Sequence, residues 1–261
     1  MTGVLGAVVL GGLLTAGLAG FGVGHRRSSR AALTGLDALP SSPAPALKIG
    51  PPQRLRPGAF VARWTIVRAA APARARPEAN APVITELAPW SPEGTPNAVQ
   101  VLRSRSDADR RLWVEVRLPV LPNGRVGWVR RQTLGGYETV TTRLLVDREQ
   151  LRATLYRSGN VVFTAPVGIG ADSWPTPSGE FMIRNELTRY RSPFYGPIAF
   201  GTTARSAVLT DWPGGGFIGI HGTNEPALIP GRISHGCIRM RNADIRRLAA
   251  LMPVGTPVTI R

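Results

Sequence analysis

Glycine and proline interrupt this chain too often for long helices. There are 30 glycines and 24 prolines among 261 residues, and a proline in a helix interior costs about 3 kcal/mol through a lost N–H and a ring clash. Short strands joined by turns accept both residues, so the expected class is mostly β. A hydrophobic fraction of 43% is enough for real cores. The length suits two modest domains of roughly 100 to 150 residues each, plus linkers.

The first 24 residues, Met1 to Gly24, carry no charged side chain and are rich in Leu, Val, Ala and Gly. A run of about 20 apolar residues crosses a bilayer, so this segment is either a signal peptide or an uncleaved membrane anchor. Gly17 and Ala19 resemble a cleavage site, but no basic segment precedes the run. Arg26, Arg27 and Arg30 follow it, and the positive-inside rule taken alone would leave the rest of the chain in the cytoplasm. Residues 25–57 read as a proline-rich linker, with Pro40-Ser41-Ser42-Pro43-Ala44-Pro45 and Pro51-Pro52 keeping it extended and stiff.

From about Gly58 short apolar runs begin: Phe60 to Val67, Val99 to Leu102, and Leu112 to Leu118. Leu112, Val114, Val116 and Leu118 alternate with the period of a half-buried strand. Pro122-Asn123-Gly124-Arg125 then predicts a turn before a strand at Val126 to Val129. Trp64, Trp113 and Trp128 are expected in the core. Further strands are expected at Thr139 to Val146, Ala153 to Tyr156, Val161 to Val167, Phe181 to Ile183 and Phe217 to Ile220, with turns at Ser158-Gly159-Asn160 and Pro213 to Gly216. One helix is convincing. Asn242 is placed to cap it, Ile245, Leu248, Ala249 and Met252 form its stripe, and Pro253 with Gly255 stops it before a last strand, Thr256 to Ile260.

The charge is strongly basic, 32 Lys and Arg against 16 Asp and Glu, a net +16, with Lys48 the only lysine. Such a surface favours an anionic polymer such as a cell wall or a membrane, or is a solvated arginine face set by codon bias. No aromatic-plus-basic motif or zinc-finger spacing is present, so nucleic acid is not an expected partner.

Cys237 is the only cysteine, which excludes an internal disulfide and leaves either a buried small hydrophobe or a reactive thiol. Two of the three histidines, His221 and His235, lie within 16 residues of it. His221-Gly222 ends a strand, Thr223 to Arg232 forms a loop, and Ile233 to Arg239 returns; a hairpin-like return would set the imidazole beside the thiol. An amide is a poor electrophile, so its cleavage by cysteine needs thiolate. Lowering the thiol pKa from ~8.5 to below ~6 would raise the ionised fraction at neutral pH about thirtyfold. A base at His221 would take the proton and later return it to the departing amine. Gly236 lets main-chain N–H groups of His235, Gly236 and Cys237 approach a developing oxyanion. A His221, His235 and Cys237 zinc set is an incomplete alternative, so no metal and no cofactor is expected.

His221-Gly222 followed by Ser234-His235-Gly236-Cys237 and Arg239 resembles the signature of the L,D-transpeptidase (YkuD-like) catalytic domain, and the likeness extends over about Thr139 to Arg261. Pro175 to Phe181 and Val254 to Val258 agree with it; Arg239 stands where many members have Asn. Trp113 to Val116 with Pro122 to Val129 is similar to a bacterial SH3-type domain. The resemblances imply a small SH3-like β-barrel at residues 58–136, thought to bind wall peptides or to act as a spacer. A catalytic β-sandwich with a short C-terminal helix would follow at residues 137–261.

The family implies Cys237 as nucleophile and His221 as base, its ring held by the carbonyl of Gly222. His235 shapes the turn near the intermediate or merely packs it. Arg239 binds a stem-peptide carboxylate or is an exposed charge. Ser234, Tyr195 and Gly196 are expected at the substrate, and Trp174 and Trp212 line the cleft or the core. The implied reaction is peptidoglycan 3→3 cross-linking through a cysteine thioester with loss of D-alanine, open to acylation by carbapenems. The partners would be a donor tetrapeptide stem and an amine acceptor, and the membrane too if the first segment is uncleaved. Oligomeric state is left open. Export to the cell envelope is expected, because that chemistry belongs outside. An L,D-carboxypeptidase, a protein-to-wall ligase and a non-catalytic wall-binding protein are the alternatives.

Overall fold

The computed structural model describes residues 60–188, 192–209 and 216–261. The apolar segment Met1 to Gly24, the proline-rich linker, Trp212 and most of the Pro213 to Gly216 turn lie outside the described residues.

The chain is mostly β. Its first seven strands are β1 (Ala62–Ile66), β2 (Ala71–Arg74), β3 (Val83–Leu87), β4 (Ala98–Ser106), β5 (Leu112–Arg117), β6 (Val126–Arg130) and β7 (Glu138–Val140). They form one antiparallel sheet in the order β3-β2-β6-β5-β4-β1-β7. Val114 and Val116 of β5 point into a core with Val67, Leu87, Val99 and Val129, each such burial contributing about 1.5 to 3 kcal/mol. The opposite face of β5 is also covered. Trp113 is buried with its indole N–H donating to Asp107, and Glu115 takes two bonds from Arg103 at 2.6 and 2.9 Å. Trp128 is buried as well, whereas Trp64 is only half-buried and lies flat against Gly255.

The second sheet contains β8 (Thr142–Asp147), β9 (Arg152–Arg157), β10 (Asn160–Pro166), β11 (Gly168–Gly170), β12 (Gly179–Leu187), β13 (Ala199–Arg205), β14 (Phe217–His221), β15 (Gly231–Ser234), β16 (Ile238–Arg239) and β17 (Pro257–Ile260). Their order is β10-β9-β8-β17-β12-β13-β14-β16-β11-β15. The hinge of this arrangement is β12. Its first half, Gly179 to Met182, pairs with β17, and its second half pairs with β13. The two halves enclose one core containing Leu144, Leu155 and Phe163 from one side and Phe200, Ile220 and Ile238 from the other.

Helix α1 (Asn242–Ala249) closes this core with Ile245 and Leu248, and Met252 just beyond it is equally buried. Its capping departs from expectation. Arg241 occupies the N-cap position without a side-chain cap, and Asn242 Oδ1 accepts the N–H of Thr223 at 3.0 Å instead. The amide is drawn away from the helix because the loop after β14 offers an otherwise unsatisfied donor at the right distance.

One of the side chains that join the two sheets imitates a strand. Asn123, in the turn before β6, donates to the carbonyl of Arg205 at 2.7 Å and accepts its N–H at 3.0 Å. Asn123→Ala leaves both main-chain groups without these partners and is expected to destabilise the protein by about 1 to 3 kcal/mol, read as a lower urea midpoint with unchanged slope. Asn123→Asp, which keeps the acceptor and loses the donor, should fall between wild type and alanine.

Candidate active site

Strand β14 alternates strictly: Ile218 and Ile220 point into the core, and Gly219 and His221 share the other face. Its neighbour β16 runs parallel to it, with Ile220 opposite Ile238 and His221 opposite Arg239. The return from His221 to Cys237 is therefore a crossover rather than the expected hairpin. The intervening chain detours through the turn Pro226–Leu228 and strand β15, which pairs in parallel with β11. Parallel register carried back one position sets residue 237 against Gly219. The Gly219 N–H accordingly points at Cys237 Sγ, 3.3 Å away. A Cβ at Gly219 would stand in ordinary contact with the Phe200 carbonyl at 3.4 Å, His221 at 3.8 Å and Sγ at 3.9 Å.

The turn that presents the sulfur, Ser234-His235-Gly236-Cys237, is held from inside and behind. Ser234 Oγ donates to the carbonyl of Cys237 at 2.5 Å and accepts the N–H of Gly236 at 3.1 Å. Gly236 has φ +111, a conformation side chains rarely adopt. Its carbonyl accepts the hydroxyl of buried Thr176 at 2.8 Å, and the same hydroxyl accepts the N–H of Gly170. Ser234 thus holds the turn while also lining the cleft over the sulfur. The Gly236 N–H, expected in the oxyanion set, is directed at Ser234.

His221 is buried, and its Nδ1 lies 2.6 Å from the carbonyl of Gly222. The arrangement fixes the ring with a proton on Nδ1, leaving Nε2 as the basic nitrogen. Burial pushes the imidazole down to about 4; the Gly222 carbonyl opposes this, and the positive charge of Arg239 adds to it. Burial also pushes the Cys237 thiol up, against the pull of the Gly219 N–H and Arg239. Burial thus works against the charged form of both groups, whereas the sequence reading calls for a thiolate beside an imidazolium. Withdrawing both groups from water penalises either charge, and a single amide donor does not offset it.

A cleft of about 290 Å³ opens over the sulfur, lined by Phe194, Tyr195, His221, Ser234, His235, Cys237 and Arg239. Tyr195 lies over the imidazole, ring centres 4.7 Å apart. His235 is exposed at the rim and packs on Trp174 at 4.3 Å. Arg239 is neither exposed nor unpaired: its side chain is 15% exposed and bonds Glu225 at 3.1 Å. Gly196, expected at the substrate, follows cleft-lining Tyr195. A Cβ on it would fall 2.4 Å from Asn242 Oδ1 and 2.7 Å from Gly222 Cα, so it packs against the backbone that holds His221. Among the described residues no group of His, Cys, Asp or Glu converges to hold a metal ion.

Gly219, Thr176, Glu225 and Asn242 went unnoticed as site residues. Only Gly219 had a usable signal, a glycine two positions before the histidine on one strand face. The others arrive from loops whose contacts follow from tertiary packing.

The YkuD family model, the L,D-transpeptidase catalytic domain, matches residues 141–260. The putative L,D-transpeptidase YkuD of Bacillus subtilis (strain 168) is 43% identical over 122 residues, covering 47% of this chain and 67% of the relative. Its counterpart in Bacillus licheniformis is 35% identical over 123 residues, with the same coverage of 47% and 67%. A solved catalytic domain of an Enterococcus faecium L,D-transpeptidase is 25% identical, covers 46% of this chain and 96% of that one, and has a TM-score of 0.36; the assignment rests on the sequence matches. Since two thirds of each Bacillus protein aligns here, at 43% and 35% identity, this chain belongs to the L,D-transpeptidase (YkuD) family.

Proposed function

We propose that this protein is a peptidoglycan L,D-transpeptidase that forms 3→3 cross-links through a thioester on Cys237. The observation that carries the proposal is the shared cleft of Cys237 and His221, with Nδ1 tied to Gly222 and an amide donor aimed at the sulfur. The donor is a tetrapeptide stem and the acceptor the side-chain amine of another stem.

Cys237 Sγ attacks the carbonyl of the third stem residue while His221 Nε2 takes the thiol proton. The imidazolium then gives that proton to the leaving nitrogen of D-alanine as the C–N bond breaks. In the second half, the acceptor amine attacks the thioester carbonyl, His221 removes its proton, and the thiol is restored. Starting from a neutral pair, charge develops only in the transition state, where donors fixed in a dry site act most strongly. Arg239 contributes in two ways: its charge favours sulfur as thiolate, and its guanidinium is placed to receive a substrate carboxylate once Glu225 is displaced. That bidentate recognition suits arginine.

The remaining expectations extend the proposal. Residues 58–136 form an SH3-type module, supported by their antiparallel sheet with a separate core. Residues 137–261 form the catalytic domain, and the proline-rich linker of residues 25–57 precedes both modules. The protein works in the cell envelope, outside the cytoplasm, anchored by or released from its apolar first segment.

Two outcomes test the chemistry. A carbapenem added to the protein should give a single covalent adduct by intact mass, and Cys237→Ala should give none; an adduct that survives the substitution rules the thioester out. The pH dependence of adduct formation follows from the depressed imidazole. His221 stays neutral, and able to accept a proton, until pH falls to about 4. The acylation rate should hold from pH 7 to about pH 5 and drop in an acid limb near 4. An acid limb at the ordinary histidine value near 6.5 would contradict the neutral-pair mechanism.

A further inference from the structure

A second pocket of about 60 Å³ borders Cys237 and His221 on the far side of Tyr195, floored by Gly201 and Gly219. One wall comes from the N-terminal sheet. Between β3 and β4 the chain makes a tight turn, Ser91-Pro92-Glu93-Gly94-Thr95, closed by Ser91 N–H to Thr95 O at 2.8 Å and Gly94 N–H to Ser91 O at 2.9 Å. Glu93 stands at the tip of this turn and is the only carboxylate among the described residues lining the pocket.

Its position is built rather than accidental. Arg184 of β12, with a side chain only 3% exposed, donates to Glu93 Oε1, and Asn185 donates to Oε2 at 3.3 Å and belongs to the same clamp through Thr95 Oγ1 at 2.9 Å. Arg184 is itself held by the carbonyl of Thr202 at 3.0 Å and by the face of Phe217. A carboxylate has about four lone-pair sites, so two such bonds leave Glu93 able to accept more. Phe217 also lines a separate cavity of about 350 Å³ bordered by exposed Trp90.

The two sides of the sulfur are thus chemically unlike: Arg239 borders one cleft, and Glu93 the other. A thioester on Cys237 must next meet an amine, and an amine travels through water as its ammonium ion. We propose that Glu93 is a specificity-determining residue of the acceptor side, binding the ammonium group of the incoming amine next to the thioester until it yields one proton to solvent and attacks as the neutral amine. The N-terminal sheet then completes the active site by supplying one wall of it. The inference rests on the transpeptidase function proposed above. It adds that acceptor selection depends on a residue outside the catalytic domain.

The test uses the full chain and a probe that requires no turnover. Nα-acetyl-lysinamide is titrated while the amide signals of Gly201 and Gly219 are followed by NMR, with its Nε-acetylated counterpart as the uncharged control. The amine should shift both signals in wild type, the acetylated probe should not, and Glu93→Gln should weaken the response about tenfold. Glu78→Gln, on an exposed turn, should match wild type. If Glu93→Gln loses spectral dispersion, Glu93→Asp keeps the charge while withdrawing it from the pocket, and the same weakening is expected. Equal responses from Glu93→Gln and wild type, or from the charged and acetylated probes, would overturn the assignment. The carbapenem adduct on Cys237 reports separately on the transpeptidase function, so failure of one is distinguishable from failure of the other.

Discussion

The parallel pairing of β14 with β16 is the constraint on which the active site depends. With Ile220 opposite Ile238, the residue before β16 must lie against the residue before Ile220. Cys237 and Gly219 hold those positions, so one register places an amide N–H on the sulfur and leaves His221 on the same strand face. A slip of one residue would turn Gly219 and His221 into the core and bring Ile218 and Ile220 into the cleft. The register is protected by that penalty, since both isoleucines are fully buried.

Around this pairing the protein spends its polar groups on holding backbone in place. Thr176 and Ser234 brace the cysteine turn, the carbonyl of Gly222 orients the imidazole, and Asn242 braces the chain just beyond it. Gly196 and Gly222 approach so closely that side chains on either would collide with the other's neighbourhood. What remains at the reacting centre is sparsely charged. Burial works against charge on both thiol and imidazole, and Arg239 with its partner Glu225 provides the nearby cation.

The strands most easily recognised from sequence are those with clean alternation or long apolar runs, such as β5, β8 and β10. Several missed ones are short or carry residues that argue against strands: β2 contains Pro72, β11 is Gly168-Ile169-Gly170, and β16 has two residues; β3 and the longer β13 are missed as well. They exist because neighbouring strands offer partners, which no local pattern records. The same reason explains the errors at Asn242, whose amide serves the loop after β14, and at the supposed hairpin, where strand direction depends on which edge of the sheet stands vacant.

The sequence by itself determined the chemistry on offer. A single cysteine close to two histidines, with glycines at the positions where backbone must approach, limits the nucleophile and its base to a few side chains. It also determined the predominance of short strands, through proline and glycine. Tertiary structure alone decided the rest: the parallel crossover, the burial of thiol and imidazole, the pairing of Arg239 with Glu225, and the arrival of Glu93 from the other sheet. Residue types and their spacing are local quantities. Strand direction, burial and the partner of a charge depend on what the rest of the chain packs against that point, and they exist only once it has done so.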